Sequence, residues 1–269
     1  MGIVLFMMGG FWLHPVSFFL TGLIILTGSQ YEYYQIISKT GINPQIITGI
    51  LTGVTAYVIS TLIAAEVIPA DYFLLMIPVI IIVMCIELYR KEEKPFNSLA
   101  HTFLPFLYTV VPVSMFPFAA FSKTGIPSLL PASAISFSPG IMIGFFILLW
   151  TNDTAAYLVG ISFGRHRLLK RISPKKSWEG FFGGLIISAL IAWLISGWIE
   201  VVDTAGWILI SVIISVAGTY GDLVESMLKR SLGVKDTGTV MPGHGGFLDR
   251  FDSALFSFPL VYLFILLFG

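Results

Sequence analysis

Long apolar stretches constrain this chain more than any other feature. They run at residues 3–28, 46–65, 72–89, 99–121, 140–164, 178–199, 206–228 and 251–268. At about 1.5 Å rise per residue, a helix of about 18 residues or more crosses a hydrocarbon core about 30 Å thick, upright or tilted. The pattern predicts eight spans, or nine if the first divides. His14-Pro15, just after Gly9-Gly10, is placed to divide it, because proline removes a helix hydrogen bond and disfavours helical geometry in the residue before it. Pro105, Pro112 and Pro117 predict a kinked helix over 99–121, with His101 a satisfied end-of-helix residue. Composition agrees: 56% of residues are hydrophobic and 11% charged, with a mean hydropathy of +0.90, whereas an average soluble domain carries about 25% charged residues. The expected fold is therefore all-α, a polytopic integral membrane protein with eight or nine transmembrane helices. No loop approaches the roughly 50 residues that a separate soluble domain needs.

Lys and Arg together equal Asp and Glu at 15 each, which argues against a basic face for nucleic acid and leaves the distribution of charge as the informative quantity. Fourteen of the fifteen cations fall in alternate loops, and only Lys123 lies in the others. Short loops rich in Lys and Arg stay cytoplasmic, so these loops, and the chemistry near them, are expected on the cytoplasmic side of the inner membrane, with the C-terminus outside. Cys85 has no partner for a disulfide and reads as a small packing residue. No Lys or Arg precedes Lys39 and no cleavage pattern is visible, so the first apolar segment reads as retained membrane helix.

A carboxylate inside a span costs about 2.5 to 3.5 kcal/mol on insertion scales and is a functional candidate by default. Asp153, beside Asn152, and Asp222 qualify; the plain alternative is an intramembrane ion pair. Asp222, Ser226 and Lys229 share one helix face. The loop leading into the last span contains Lys235, Asp236, Gly238, Pro242, Gly243, His244, Gly245, Gly246, Asp249, Arg250 and Asp252. Glycines let backbone N–H groups approach an anion, cations supply charge, and Asp249 can hold a hard cation, so the loop suits Mg²⁺ and a polyphosphate. A second loop, 165–180, carries six cations, of which Lys175 and Lys176, with Ser173, precede a helix N-terminus that favours phosphate.

At these residues the sequence resembles the phosphatidate cytidylyltransferase family, also called CDP-diacylglycerol synthases. The resemblance rests on Ser226, Lys229-Arg230, Lys235-Asp236, Gly238, Pro242, His244-Gly245-Gly246, Asp249-Arg250, Phe251 and Asp252, with Met241 where a branched aliphatic or Phe is usual. Ser173-Pro-Lys-Lys-Ser-Trp-Glu-Gly180 and Asn152-Asp153 are similar to further family motifs. These motifs occupy roughly the second half of the chain, which divides the sequence into an N-terminal multi-span region (1–137) and a C-terminal catalytic region (138–269).

The resemblance implies an enzyme that condenses CTP with phosphatidate, giving CDP-diacylglycerol and pyrophosphate with a divalent metal. It implies Asp222 and Asp249 as ligands of Mg²⁺, alone or with a second cation. Lys229, Arg230, Lys235 and Arg250 then stabilise the triphosphate, and Ser226, Asp236, Gly243, His244, Gly245 and Gly246 shape its site. Ser173, Lys175 and Lys176 receive the lipid headgroup. Asn152 and Asp153 complete the polar cavity, as metal support or as a nucleotide contact. Membrane lipids are further expected partners, and the small-residue pair Gly180 and Gly184 can pack helices within the chain or against a second copy of it in a homodimer. A transporter predicts polar residues toward both faces and an internal repeat, and neither is visible. A CDP-alcohol phosphotransferase predicts Asp-Gly-x-x-Ala-Arg, which is absent. A polyprenol or dolichol kinase predicts CDP as product in place of pyrophosphate.

Overall fold

A computed structural model describes residues 7, 9–121, 137–233 and 246–268. The elements are α1 (Pro15–Ser38), α2 (Ile46–Ala64), a 3₁₀ turn (Ala70–Leu75) running into α3 (Met76–Tyr89), α4 (Pro95–Pro105), a π turn (Phe106–Val110), α5 (Val111–Ala120), α6 (Gly140–Phe163), a hairpin of β1 (Arg167–Leu169) and β2 (Ser173–Ser177), α7 (Trp178–Ile195), α8 (Thr204–Ser231) and α9 (Leu248–Phe268). Among the described residues, seven segments are long and apolar enough to cross a membrane: α2, Ala70–Tyr89, Pro95–Ala120, α6, α7, α8 and α9. The protein is an all-α polytopic membrane protein, as its hydropathy predicts.

The first span departs from expectation in an informative way. The chain breaks at His14, whose extended backbone (φ −158°, ψ 150°) and side chain cap the helix opening at Pro15. The His14 Nδ1 accepts the Val16 N–H at 3.1 Å, and Ser17 Oγ accepts the His14 N–H at 3.1 Å, a reciprocal cap. The helix does not end near residue 28 but runs on to Ser38. Ser29, Gln30 and Glu32, which resemble loop residues in the sequence, are buried against neighbouring helices. Their polarity is why α1 falls outside the seven apolar segments although its 24 residues are long enough to span.

The kink expected over 99–121 takes the form of the π turn after Pro105, where a proline can no longer continue the regular ladder. His101 accepts or donates a 2.8 Å hydrogen bond with Tyr33 OH, so its ring is satisfied. Cys85 is exposed on α3 and is not a packing residue. Ile77, Ile81, Ile82 and Leu88 of the same helix are also exposed, a surface that suits hydrocarbon and not water.

Aromatic rings form the centre of the core. Phe258 of α9 meets Phe116 of α5 at 4.7 Å and Phe145 of α6 at 5.0 Å between centroids, in edge-to-face geometry. Around it α6, α7, α8 and α9 pack against one another. Gly180 and Gly184 make the α6–α7 contact close: a Cβ at Gly184 would stand 2.9 Å from the Asn152 carbonyl, and one at Gly180 2.6 Å from that of Ala156. The small-residue pair therefore packs within the chain.

Candidate active site

Helix α8 presents Asp222, Glu225, Ser226 and Lys229 along one face, as spacings of three and four dictate. Asp222 Oδ2 is 2.7 Å from Lys176 Nζ, and Ser226 Oγ donates to Asp222 Oδ1 at 3.3 Å. Lys176 reaches this position from β2, where it also lies 3.4 Å from the Thr219 carbonyl. One and two turns further on, Lys229 Nζ sits between two carboxylates, 2.7 Å from Asp249 Oδ1 and 2.5 Å from Glu225 Oε2. Glu225 is 1% exposed, and its Oε1 has no hydrogen-bond partner among the described residues.

Asp249 stands in the first turn of α9 and its second oxygen accepts the Gly246 N–H at 3.1 Å, which ties the end of the glycine run to the helix. Asp252 lies one turn further, buried, with Oδ1 accepting the Ser253 N–H at 2.6 Å. Gly221 makes this arrangement fit, because a Cβ there would stand 2.8 Å from the Asp252 carbonyl. Only the absence of a side chain lets α8 and α9 close at the level of Asp222 and Asp252. On α6, buried Asn152 accepts a 2.7 Å hydrogen bond from Ser215 Oγ of α8 and reaches Asp153 Oδ1 at 3.4 Å.

Asp153, Asp222 and Lys176 all act electrostatically on Asp252. Asp222, Glu225, Asp249 and Asp252 act together on the hydroxyl of Tyr108, on the π turn. That hydroxyl is buried and without a partner among the described residues. Five carboxylates from α6, α8 and α9 thus share one end of the bundle with the ammonium groups of Lys176 and Lys229. Such an acidic excess favours cations and their anionic complexes.

The structure separates residues that the sequence groups together. Along β2, Lys176 is half-buried and reaches Asp222, while Lys175 is exposed and Ser173 half-buried. The strands pair antiparallel, with Arg167 opposite Ser177 and Leu169 opposite Ser173, and Arg167 Nη1 holds the Lys175 carbonyl at 3.2 Å. Asp222 and Lys229 share a face without pairing: Asp222 pairs with Lys176 of β2, and Lys229 with Glu225 of α8 and Asp249 of α9. Arg230 and Arg250 are exposed near the same end. Lys235, Asp236, Gly243, His244 and Gly245 lie outside the described residues.

Three participants were not singled out from the sequence. Glu225 carries a usable signal, its i,i+4 relation to Lys229. Asp252 belongs to the motif but had no role there. Tyr108 gives no signal, because only the fold brings the first half of the chain to this end.

Several helices long and apolar enough to cross a membrane, with lysines and carboxylates from separate elements paired at one end, define a polytopic membrane protein with a candidate site built into its helices. The chain belongs to the cytidylyltransferase family, whose model matches residues 1–268. It is similar to proteins named phosphatidate cytidylyltransferase. The one from Staphylococcus saprophyticus is 38% identical over 179 residues, which are 63% of this chain and 68% of that protein. The one from Staphylococcus aureus is 39% identical over the same shares. That from Staphylococcus epidermidis is 43% identical over 122 residues, 45% of this chain and 47% of the relative.

Proposed function

We propose that this protein transfers the cytidylyl group of CTP to phosphatidate, giving CDP-diacylglycerol and pyrophosphate. The observation that carries the reading is the paired cluster of Lys176 with Asp222 and of Lys229 with Asp249 and Glu225, at the cation-rich end of the bundle. The names of the similar proteins support the lipid substrate. A lipid phosphate at a membrane surface must meet a triphosphate from the cytosol, so we place this end at the cytoplasmic face of the inner membrane.

An oxygen of the lipid phosphate attacks the α-phosphorus of CTP. The new P–O bond forms as the bond to the β-phosphate oxygen breaks, and pyrophosphate leaves with that electron pair. The attacking oxygen is already anionic, so no strong general base is needed; positioning and charge neutralisation carry the catalysis. Lys229, with Arg230, Lys235 and Arg250, neutralises the triphosphate and the departing pyrophosphate. Lys176 stands between the headgroup side, with Ser173 and Lys175, and Asp222, and orients the lipid phosphate toward the nucleotide.

The donor set fits Mg²⁺. The oxygens of Asp222 and Asp249 are hard donors, and Mg²⁺ is commonly held by one or two carboxylates with waters and substrate phosphates completing the shell. When bound, the ion supplies positive charge to the CTP phosphates.

The test is product identification after purified protein in detergent is incubated with phosphatidate, CTP labelled at the α-phosphorus, and Mg²⁺. Labelled CDP-diacylglycerol together with pyrophosphate is expected. Labelled CDP, with none of the label in lipid, would instead identify a lipid kinase.

A further inference from the structure

Glu32 lies on α1, far in sequence from every motif of the site, and is 3% exposed. Its Oε2 accepts the backbone N–H of Leu248, the first residue of α9, at 2.9 Å. The first four N–H groups of a helix have no partner within it and are ordinarily capped by a short polar side chain just before the helix. Here the two preceding residues are Gly246 and Phe247, neither of which has a capping side chain. The acceptor is brought instead by another helix, 216 residues earlier in the chain. A carboxylate at that end of a helix also complements the helix dipole.

A second observation on α1 points to the same segment. Gly28, one turn before Glu32 on the same face, lies under the Phe247 ring: a Cβ at Gly28 would stand 2.9 Å from two of the ring carbons. Phe247 in turn stacks on Phe251 of α9, with centroids 6.4 Å apart. Helix α1 therefore offers a two-point seat, a gap for the ring and an acceptor for the N–H, to the residues flanking Asp249.

We infer that Glu32 is a positioning residue that, with Gly28, fixes the start of α9 so that Asp249 meets Lys229 at the site. It touches no reacting group; it sets the height and rotation of the turn that carries Asp249 and, one turn on, Asp252. An error of about 1 Å in such a placement costs on the order of a hundredfold in rate.

The experiment compares Glu32→Leu, which loses the acceptor, with Glu32→Gln, whose carboxamide oxygen can still take the Leu248 N–H. Two readouts are used on the full-length protein in detergent: hydrogen exchange of backbone amides in peptides covering 246–255, and steady-state kinetics. In Glu32→Leu, exchange there is expected to rise about tenfold, as loss of a cap permits. The kcat/KM for CTP should fall about ten- to a hundredfold with the KM for phosphatidate within about twofold. Glu32→Gln should stay within about threefold of the parent on both readouts. Gly28→Ala, a smaller change that displaces the Phe247 ring, should reproduce the kinetic signature even if Glu32→Leu folds poorly. Unchanged exchange in Glu32→Leu, or a Gln variant as impaired as the Leu variant, overturns the assignment. The kinetic readout rests on the function proposed above and the exchange readout does not. A protein without cytidylyl transfer whose Leu variant still exchanges faster would sink that function and leave the positioning role standing.

Discussion

The two halves of the bundle bury polar residues in opposite ways. In the first half, up to residue 120, buried Glu87 is held by a single cation and a neutral amide. Gln45 Nε2 donates to Glu87 Oε2 at 2.6 Å, Arg90 pairs with the same oxygen at 2.9 Å, and Tyr34 OH donates to the Thr102 carbonyl at 2.8 Å. In the second half, from residue 140, the carboxylates of α6, α8 and α9 crowd together with two lysines between them. A closed hydrogen-bond arrangement in a membrane protein holds helices together. An arrangement with acidic charge left over is fit to receive a charged ligand. Residue type does not distinguish the two roles, since glutamates appear in both; the crowding of carboxylates from several helices does.

The largest effect that would sharpen this contrast is expected in Asp222→Asn and Asp249→Asn. Each should lower kcat/KM for CTP by about a hundred- to a thousandfold, the range seen when one preorganised electrostatic contact to a transition state is lost, with little change in thermal stability in detergent. Near-parental rates in folded protein would remove both residues from the mechanism. Glu225→Gln comes next. It keeps a hydrogen bond to Lys229 but removes the charge that orients it, so a fall of about tenfold in kcat is expected; an unaltered rate would mean that Asp249 alone places the lysine.

In the first half the signs reverse. Glu87→Leu removes one partner from Arg90, which keeps Glu92, and one from Gln45, which keeps the Val83 carbonyl, and should destabilise the fold by about 1 kcal/mol. Its kcat should stay within about twofold. If catalysis falls while unfolding is unchanged, the division between the halves fails. Tyr34→Phe, which removes one buried hydrogen bond, is the smallest change, about 1 kcal/mol of stability and no kinetic consequence.

Much of the architecture is legible from hydropathy, because hydrocarbon imposes length and composition on each span. The break at His14-Pro15 is legible too, since proline lacks the N–H that an uninterrupted helix requires. The end of α1 is not: Ser29, Gln30 and Glu32 are polar, and only tertiary packing makes their burial tolerable. The β1–β2 hairpin is hidden in a run of cations that reads as a positively charged loop. At the site, Ser226 beneath Asp222 follows from helical spacing, but the Lys176–Asp222 and Lys229–Asp249 pairs join different elements, and no local pattern encodes them. The conjunction of Tyr108 with the carboxylates depends on how the π turn is aimed, which proline positions suggest only as a kink.

The bond between Glu32 and Leu248 has a consequence for how the protein comes into being. A ribosome adding about 5 to 20 residues per second takes on the order of ten to forty seconds to traverse the 216 residues between them. Throughout that interval a nascent α1 holds an acid that its eventual partner has not yet arrived to meet. Insertion of α9 thus completes α1, and until it does so neither helix has reached its mature environment.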